Sequence, residues 1–327
     1  MYCIRDSFCS VNMSSSLEPE IETTWTCRDG IKIAGKRSTR ISGRDKKLQI
    51  LALHGWMDNC ATFDALSNRL IDRVVLDKNS FDIDFVAIDL PGHGHSSHKS
   101  LDGPTSMLAE YCCYVFDIMQ QLEWKPEDMT IIGHSMGGSI ALMYAAAFPV
   151  QRLIMLDTLG PMPKAEETIS KNVRSYVKIR AQGKMTPSVY PNFEAAVEIR
   201  CKTPGLLFPG KQYISESTAK ALVKRGSVIK DDGRLEFRHD PRLNWPSMLY
   251  LTETQLKQMF KDIANQNTSI CLLTAVDGMP FPPEKLSLVR NLLKPDMYEA
   301  LPGSHHFHSD PDSIEGVVDA IVSWLKI

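Results

Sequence analysis

The chain reads as an α/β protein: a mostly parallel sheet, flanking helices and an inserted helical cap. Three observations predict this. From residue 48 onwards, short apolar runs alternate with stretches of helical spacing, and that alternation builds a parallel sheet covered on both faces. Residues 129–151 carry no Asp, Glu, Lys or Arg for 23 residues. That is the length of a membrane span, but His134, Ser135, Gly137, Gly138, Ser139 and Pro149 lie within it. A strand, a tight turn and a buried helix account for it better. Finally, more than a hundred residues separate Asp157 from Ile270, where a parallel crossover needs about a dozen.

The elements follow in order. Residues 1–20 are polar and interrupted by Arg5, Asp6, Glu18 and Glu20, so they read as a loose segment rather than a signal peptide. Residues 22–27 alternate as a strand, Asp29-Gly30 is a hairpin turn signal, and 31–36 return. Residues 43–47 form a charged turn. Buried strands are expected at 48–53, 83–90, 130–133, 152–157, 270–275 and 297–301, with helices at 62–70, 107–122, 140–148, 283–293 and 313–325. The long interval holds amphipathic stretches at 164–180, 193–201, 217–225 and 253–264. The expected division is a flexible segment 1–20, a core of 21–160 and 266–327, and a helical cap of 161–265.

Composition narrows the function classes. The chain has 327 residues, 43% hydrophobic and 23% charged, with net charge −2. Those are globular values, and near neutrality removes any global electrostatic reason to bind nucleic acid or an anionic membrane. Eight cysteines are scattered without a Cys-x-x-Cys pair, which suits reduced thiols and a cytoplasmic location. The terminal Leu325-Lys326-Ile327 is a poor peroxisomal signal. Translation from Met1 or from Met13 fits equally well.

The strongest chemical signal is Gly133-His134-Ser135-Met136-Gly137-Gly138, between an apolar run and a helical one. This strand–turn–helix setting is what a Gly-x-Ser-x-Gly nucleophile elbow requires. Small residues flank a serine held in strained backbone with its hydroxyl exposed. Upstream, His54-Gly55-Trp56-Met57-Asp58 ends a strand. A loop there supplies one backbone N–H of an oxyanion hole, here from Trp56, and the residue after the serine, Met136, supplies the other.

A wider set of residues carries a family resemblance. It comprises His54-Gly55-Trp56-Met57-Asp58-Asn59 with Thr62-Phe63-Asp64, Gly92-His93-Gly94-His95-Ser96-Ser97-His98, residues 133–138, Leu156-Asp157-Thr158, 238–243 and Pro302-Gly303-Ser304-His305-His306-Phe307-His308. From about Trp25 to Trp324 the chain resembles an α/β-hydrolase, and more closely the serine hydrolase-like (Kraken-like) group. The resemblance implies an esterase-like serine hydrolase with a Ser-His-Asp triad. It would cleave an ester, thioester or amide of a small-molecule or lipid-like substrate, with no cofactor and no metal. The base would be a late histidine, because the chain order in this fold is serine, acid, histidine. His305, His306 and His308 qualify. The group's Gly-x-His-x-x-His favours His305, with His306 as the alternative. Asp157 and Asp277 both qualify as the acid. The group favours Asp157, and Asp277 holds the commoner superfamily position.

Two rivals stand beside this reading. His93, His95 and His98 share a short loop and could suggest zinc, but the Asp-His of a binuclear hydrolase motif is missing there. Asp89, Arg238, His239, Asp240 and Arg242 read as salt-bridged scaffold. The second rival is a non-catalytic ligand-binding protein on the same scaffold. The sequence leaves substrate identity and oligomeric state open.

Overall fold

The computed structural model describes residues 20–41, 46–76, 81–101, 107–183, 186–207 and 212–326. The expected loose N-terminal segment, apart from Glu20, and most of the charged turn at 43–47 lie outside them.

A hairpin opens the chain, β1 (Ile21–Thr26) antiparallel to β2 (Lys32–Arg40). Then β3 (Lys47–Leu53), β4 (Asp82–Ile88), β5 (Met129–His134) and β6 (Arg152–Leu156) enter the sheet, separated by helices α1 (Asp64–Leu76), α2 (Tyr111–Gln121) and α3 (Met136–Ala147). The charge-free stretch is thus strand, turn and helix. Among the described residues, no helix is long and apolar enough to cross a membrane.

The interval after β6 holds α4 (Ile169–Gln182), β7 (Val189–Tyr190), α5 (Phe193–Leu207), α6 (Glu216–Gly226), β8 (Ser227–Ile229) and β9 (Leu235–Phe237). Next come α7 (Glu253–Ala264), β10 (Ser269–Asp277), α8 (Pro283–Leu293), β11 (Met297–Ser304) and α9 (Ile314–Leu325). The main sheet runs β1-β2-β4-β3-β5-β6-β10-β11. From β4 to β11 its neighbours are parallel.

The period-2 pleat splits each central strand between two cores. In β3, Leu51 and Leu53 face the side covered by α2, α3, α7 and α8, whereas Ile50 and Ala52 face α1 and α9. Strands apolar on both faces are what the sequence shows at these positions.

The insertion differs from expectation in two ways. It carries a three-stranded antiparallel sheet, β7-β9-β8, whose strands of two or three residues are too short to show alternation. And α7, expected in the cap, packs Leu256, Phe260 and Ile263 into the core against α3 and α8. Its apolar stripe looks the same on either body, so spacing alone does not reveal which one it covers. The insertion has a small core of its own around Ala196, Val197, Ile214, Ala219, Val223 and Leu235. Buried polar bonds tie it to the main body. Arg225 Nε lies 2.9 Å from Asp89 Oδ2, and Asn59 Nδ2 donates to the Leu222 carbonyl at 2.9 Å.

Candidate active site

Ser135 sits between β5 and α3 with φ 51 and ψ −116. An L-residue pays for that conformation. It persists because the chain must reverse within one residue, and only glycines allow the close approach. A Cβ on Gly133 would lie 2.4 Å from the Gly137 carbonyl oxygen, and one on Gly137 would lie 2.0 Å from the Leu53 carbonyl oxygen. Three of the six non-glycine residues with positive φ among those described are Met57, Ser135 and Asp157. Strain therefore gathers at the candidate oxyanion loop, the nucleophile candidate and the acid candidate.

Each of the three late histidines has its own partner. His305 Nδ1 lies 2.6 Å from Asp157 Oδ2. His306 Nε2 lies 3.1 Å from Asp58 Oδ2, and His308 Nε2 lies 3.0 Å from Thr62 Oγ1. His306 and His308 are buried, whereas the His305 side chain keeps 15% of its exposure.

Asp157 follows β6 and is fully buried. Its Oδ1 accepts from the Ala275 amide at 3.0 Å and its Oδ2 from the Met279 amide at 2.8 Å. Those bonds from β10 and the loop after it fix the carboxylate from behind while it faces His305. Asp277 ends β10, half-buried and in register with Ser304.

Behind this row lies a buried network that sequence reasoning did not assemble. The His305 carbonyl can only accept, so neutral His134 carries its proton on Nε2 and donates to it at 2.8 Å. Its Nδ1 has no hydrogen-bond partner and lies 3.6 Å from Asp58 Oδ2. Desolvation, reinforced by His305, pushes the His134 pKa down to about 4. His308 is also held well below its ordinary value by burial and by His134 and His306. Burial alone would raise the Asp58 pKa. The charges of His306 and Arg200 and the hydrogen bond from His306 outweigh it and keep the carboxyl well below its usual range. Arg200 comes from α5 in the insertion and pairs with Asp58 Oδ1. The visible signals were His134 inside the elbow and Asp58 beside Trp56; nothing marked Arg200.

Asp58, His134 and His306 also form the one group among the described residues compact enough to hold a metal, with ligand atoms within 4.8 Å of one another. Their chemistry fits a cation poorly, because Arg200 and His306 already occupy the carboxylate. His93, His95 and His98 form no such group. His93 is buried against His54 and bonded to the Pro91 carbonyl, and His98 Nε2 faces the Arg238 carbonyl at 2.7 Å. Of the scaffold residues, Asp240 pairs with Arg242, Asp89 pairs with Arg225, which the sequence did not mark, and Arg238 Nε donates to the Ser227 carbonyl at 3.0 Å.

On the oxyanion side, His54 accepts the Leu90 amide at Nε2 (2.9 Å) and so donates from Nδ1 to the Gly55 carbonyl (2.7 Å), bracing the loop. The Trp56 indole donates to the Leu243 carbonyl at 3.1 Å. Its backbone N–H and that of Met136 are the oxyanion candidates.

A cavity of about 760 Å³ opens beside Ser135 between α7, α8 and the loop after β6, with Met136, Asp157, Leu256, Phe260 and Val289 among its lining.

The family model described as alpha/beta hydrolase fold matches residues 50–180. A serine hydrolase-like protein of Danio rerio is 29% identical over 307 residues, covering 87% of this chain and 84% of its own length. A serine hydrolase-like protein of Homo sapiens is 35% identical over 184 residues, covering 55% of this chain and 78% of its own. The crystal structure of a hypothetical protein from Pseudomonas aeruginosa PAO1 superposes with TM-score 0.76 at 28% identity, covering 94% of this chain and 99% of its own.

Proposed function

Because this chain belongs to the α/β-hydrolase fold family, in its serine hydrolase-like group, we propose that it hydrolyses a carboxylic ester or related acyl compound through Ser135, His305 and Asp157. The observation that carries this reading is the 2.6 Å contact between His305 and Asp157, with Asp157 and the positive-φ Ser135 lining one cavity. In this reading His305 Nε2 takes the proton of Ser135 as its Oγ attacks the carbonyl carbon. The oxyanion is received by the Trp56 and Met136 amides, with the N-terminus of α3 adding a positive dipole end. Asp157 orients the ring and stabilises the imidazolium. Collapse expels the leaving group with the proton from His305. Water then attacks the acyl-enzyme with His305 again as base.

A fluorophosphonate probe tests the reading. Wild type should be labelled covalently at Ser135, and Ser135→Ala should be neither labelled nor active. In a comparable triad, loss of the serine costs on the order of 10⁶ in kcat. A folded wild type that resists labelling and turns over no ester would leave the ligand-binding alternative standing.

A further inference from the structure

We propose that the cavity between α7, α8 and the loop after β6 is the acyl site, and that it takes an uncharged, apolar acyl chain of medium or greater length. The proposal rests on the serine hydrolase reading above and adds the substrate class to it.

The first argument is which half of the substrate the cavity can hold. Among the described residues that line it are Ser135 and Met136; His305 and Trp56 are not. During acylation the bond from Ser135 Oγ to the acyl carbon forms as the bond from that carbon to the leaving oxygen breaks. The serine proton passes through His305 to that leaving oxygen. The leaving half must therefore lie toward His305, and the half that stays on the serine lies on the other side. The cavity reaches Ser135 and Asp157 without His305 in its lining, which assigns it to the half that stays on the serine. In deacylation, water supplies the hydroxyl of the product acid, and its other proton returns to Ser135 through His305.

The second argument is the wall. Met162, Leu256, Phe260, Phe281, Leu288 and Val289 give it an apolar surface. Its charged residues are Asp157, Glu253, Glu284 and Lys285, and the last three are exposed. Asp157 spends its oxygens on His305, Ala275 and Met279. Thr158 Oγ1 already accepts from the Gly160 amide at 3.2 Å. A charge carried past the exposed Glu253, Glu284 and Lys285 to the wall of Leu256, Phe260 and Val289 would be desolvated without a partner, which is costly. Methylenes would only gain.

The third argument is size. At about 30 Å³ per water-sized group, a cavity of 760 Å³ accepts on the order of twenty non-hydrogen atoms. That is well beyond acetate and within the range of a medium or long chain.

The experiment is a matched set of p-nitrophenyl esters from acetate to palmitate, with acetate esters of alcohols from butanol to decanol alongside. On wild type, kcat/KM should rise about fourfold per acyl methylene until the cavity is full, and stay nearly flat along the alcohol series. The mono-p-nitrophenyl ester of decanedioic acid should be at least tenfold slower than the decanoate. Leu288→Trp and, at the more exposed rim, Met162→Trp should each lower the decanoate-to-acetate ratio tenfold or more. Two separate variants guard against one failing to fold. A flat acyl series on an enzyme that hydrolyses acetate, or a rise along the alcohol series instead, would overturn the acyl site and leave the hydrolase reading intact. Absence of turnover on every ester, together with no labelling of Ser135, would remove both.

Discussion

The residue before the proposed nucleophile holds the loop of the proposed base: His134 Nε2 donates to the backbone carbonyl of His305 across 2.8 Å. Strand β5 thereby sets both the position of Ser135 and that of the His305 backbone. His134→Ala should lower kcat by up to about 10²-fold, the cost of a displacement near 1 Å, with little change in KM. His134→Gln keeps an N–H donor and should recover part of the loss. Steady-state kinetics of both variants check this. An unchanged kcat in His134→Ala would remove the positioning role.

The candidate acids and bases divide by their contacts. Asp157→Asn keeps the shape but favours the wrong tautomer of His305. In a trypsin-type triad that costs about 10⁴ in kcat. Asp277→Asn should be mild. Likewise His305→Ala should be severe, whereas His306→Ala should act through loss of its bond to Asp58 and be milder. Single-turnover rates on one chromogenic ester rank all four. A severe Asp277→Asn beside a mild Asp157→Asn would move the acid to the end of β10.

Acid should unfold the protein in two windows. His134 titrates near 4 and His93 near 3 in the fold, each depressed chiefly by burial. The unfolded chain binds these protons at about 6.5. The unfolded state therefore gains protons first, and stability falls as pH drops from about 6.5 toward those values. Asp58 is a carboxyl held well below its ordinary value. Its contribution is complete above about pH 4 and is lost as pH falls further. Thermal unfolding against pH should show both declines. His93→Gln should flatten the upper one, and Asp58→Asn the lower one. Profiles parallel to wild type would show that these groups do not carry the linkage.

The joint between insertion and core is a buried ion pair. Arg225 and Asp89 have side chains 5% and 0% exposed. Asp89 also accepts from the Cys60 and His95 amides. Arg225→Met strands that carboxylate and should cost about 3–5 kcal/mol. Adding Asp89→Asn to it should recover part of the loss. Urea denaturation of the two variants measures this, and a neutral Arg225→Met would mean that the pair does not hold the insertion.

Much of this was legible in one dimension. Strands apolar on both faces announced a covered parallel sheet, because only burial on both sides selects such runs. The elbow was legible because a reversal this sharp leaves no space for a Cβ at Gly133 or Gly137, and that requirement is written in residue identity. The two short segments 54–58 and 302–308 stood out for the same local reason: their residue types sit next to one another in the chain.

What remained open in the sequence was open for a physical reason. His305, His306 and His308 are equivalent as letters. They differ because neighbouring side chains leave one loop in different directions, toward Asp157, Asp58 and Thr62, each of which comes from another part of the chain. Asp157 and Asp277 end neighbouring strands of one sheet. Only the bonds from Ala275 and Met279 aim the first at His305. The stripe on α7 names a buried face but not the body it is buried against. Arg200 reaches Asp58 across 142 residues of chain, and no local spacing encodes such a contact. Local backbone geometry was thus determined by the sequence itself, while the pairing of distant charges and the shape of the cavity were decided only when the strands, helices and insertion packed together.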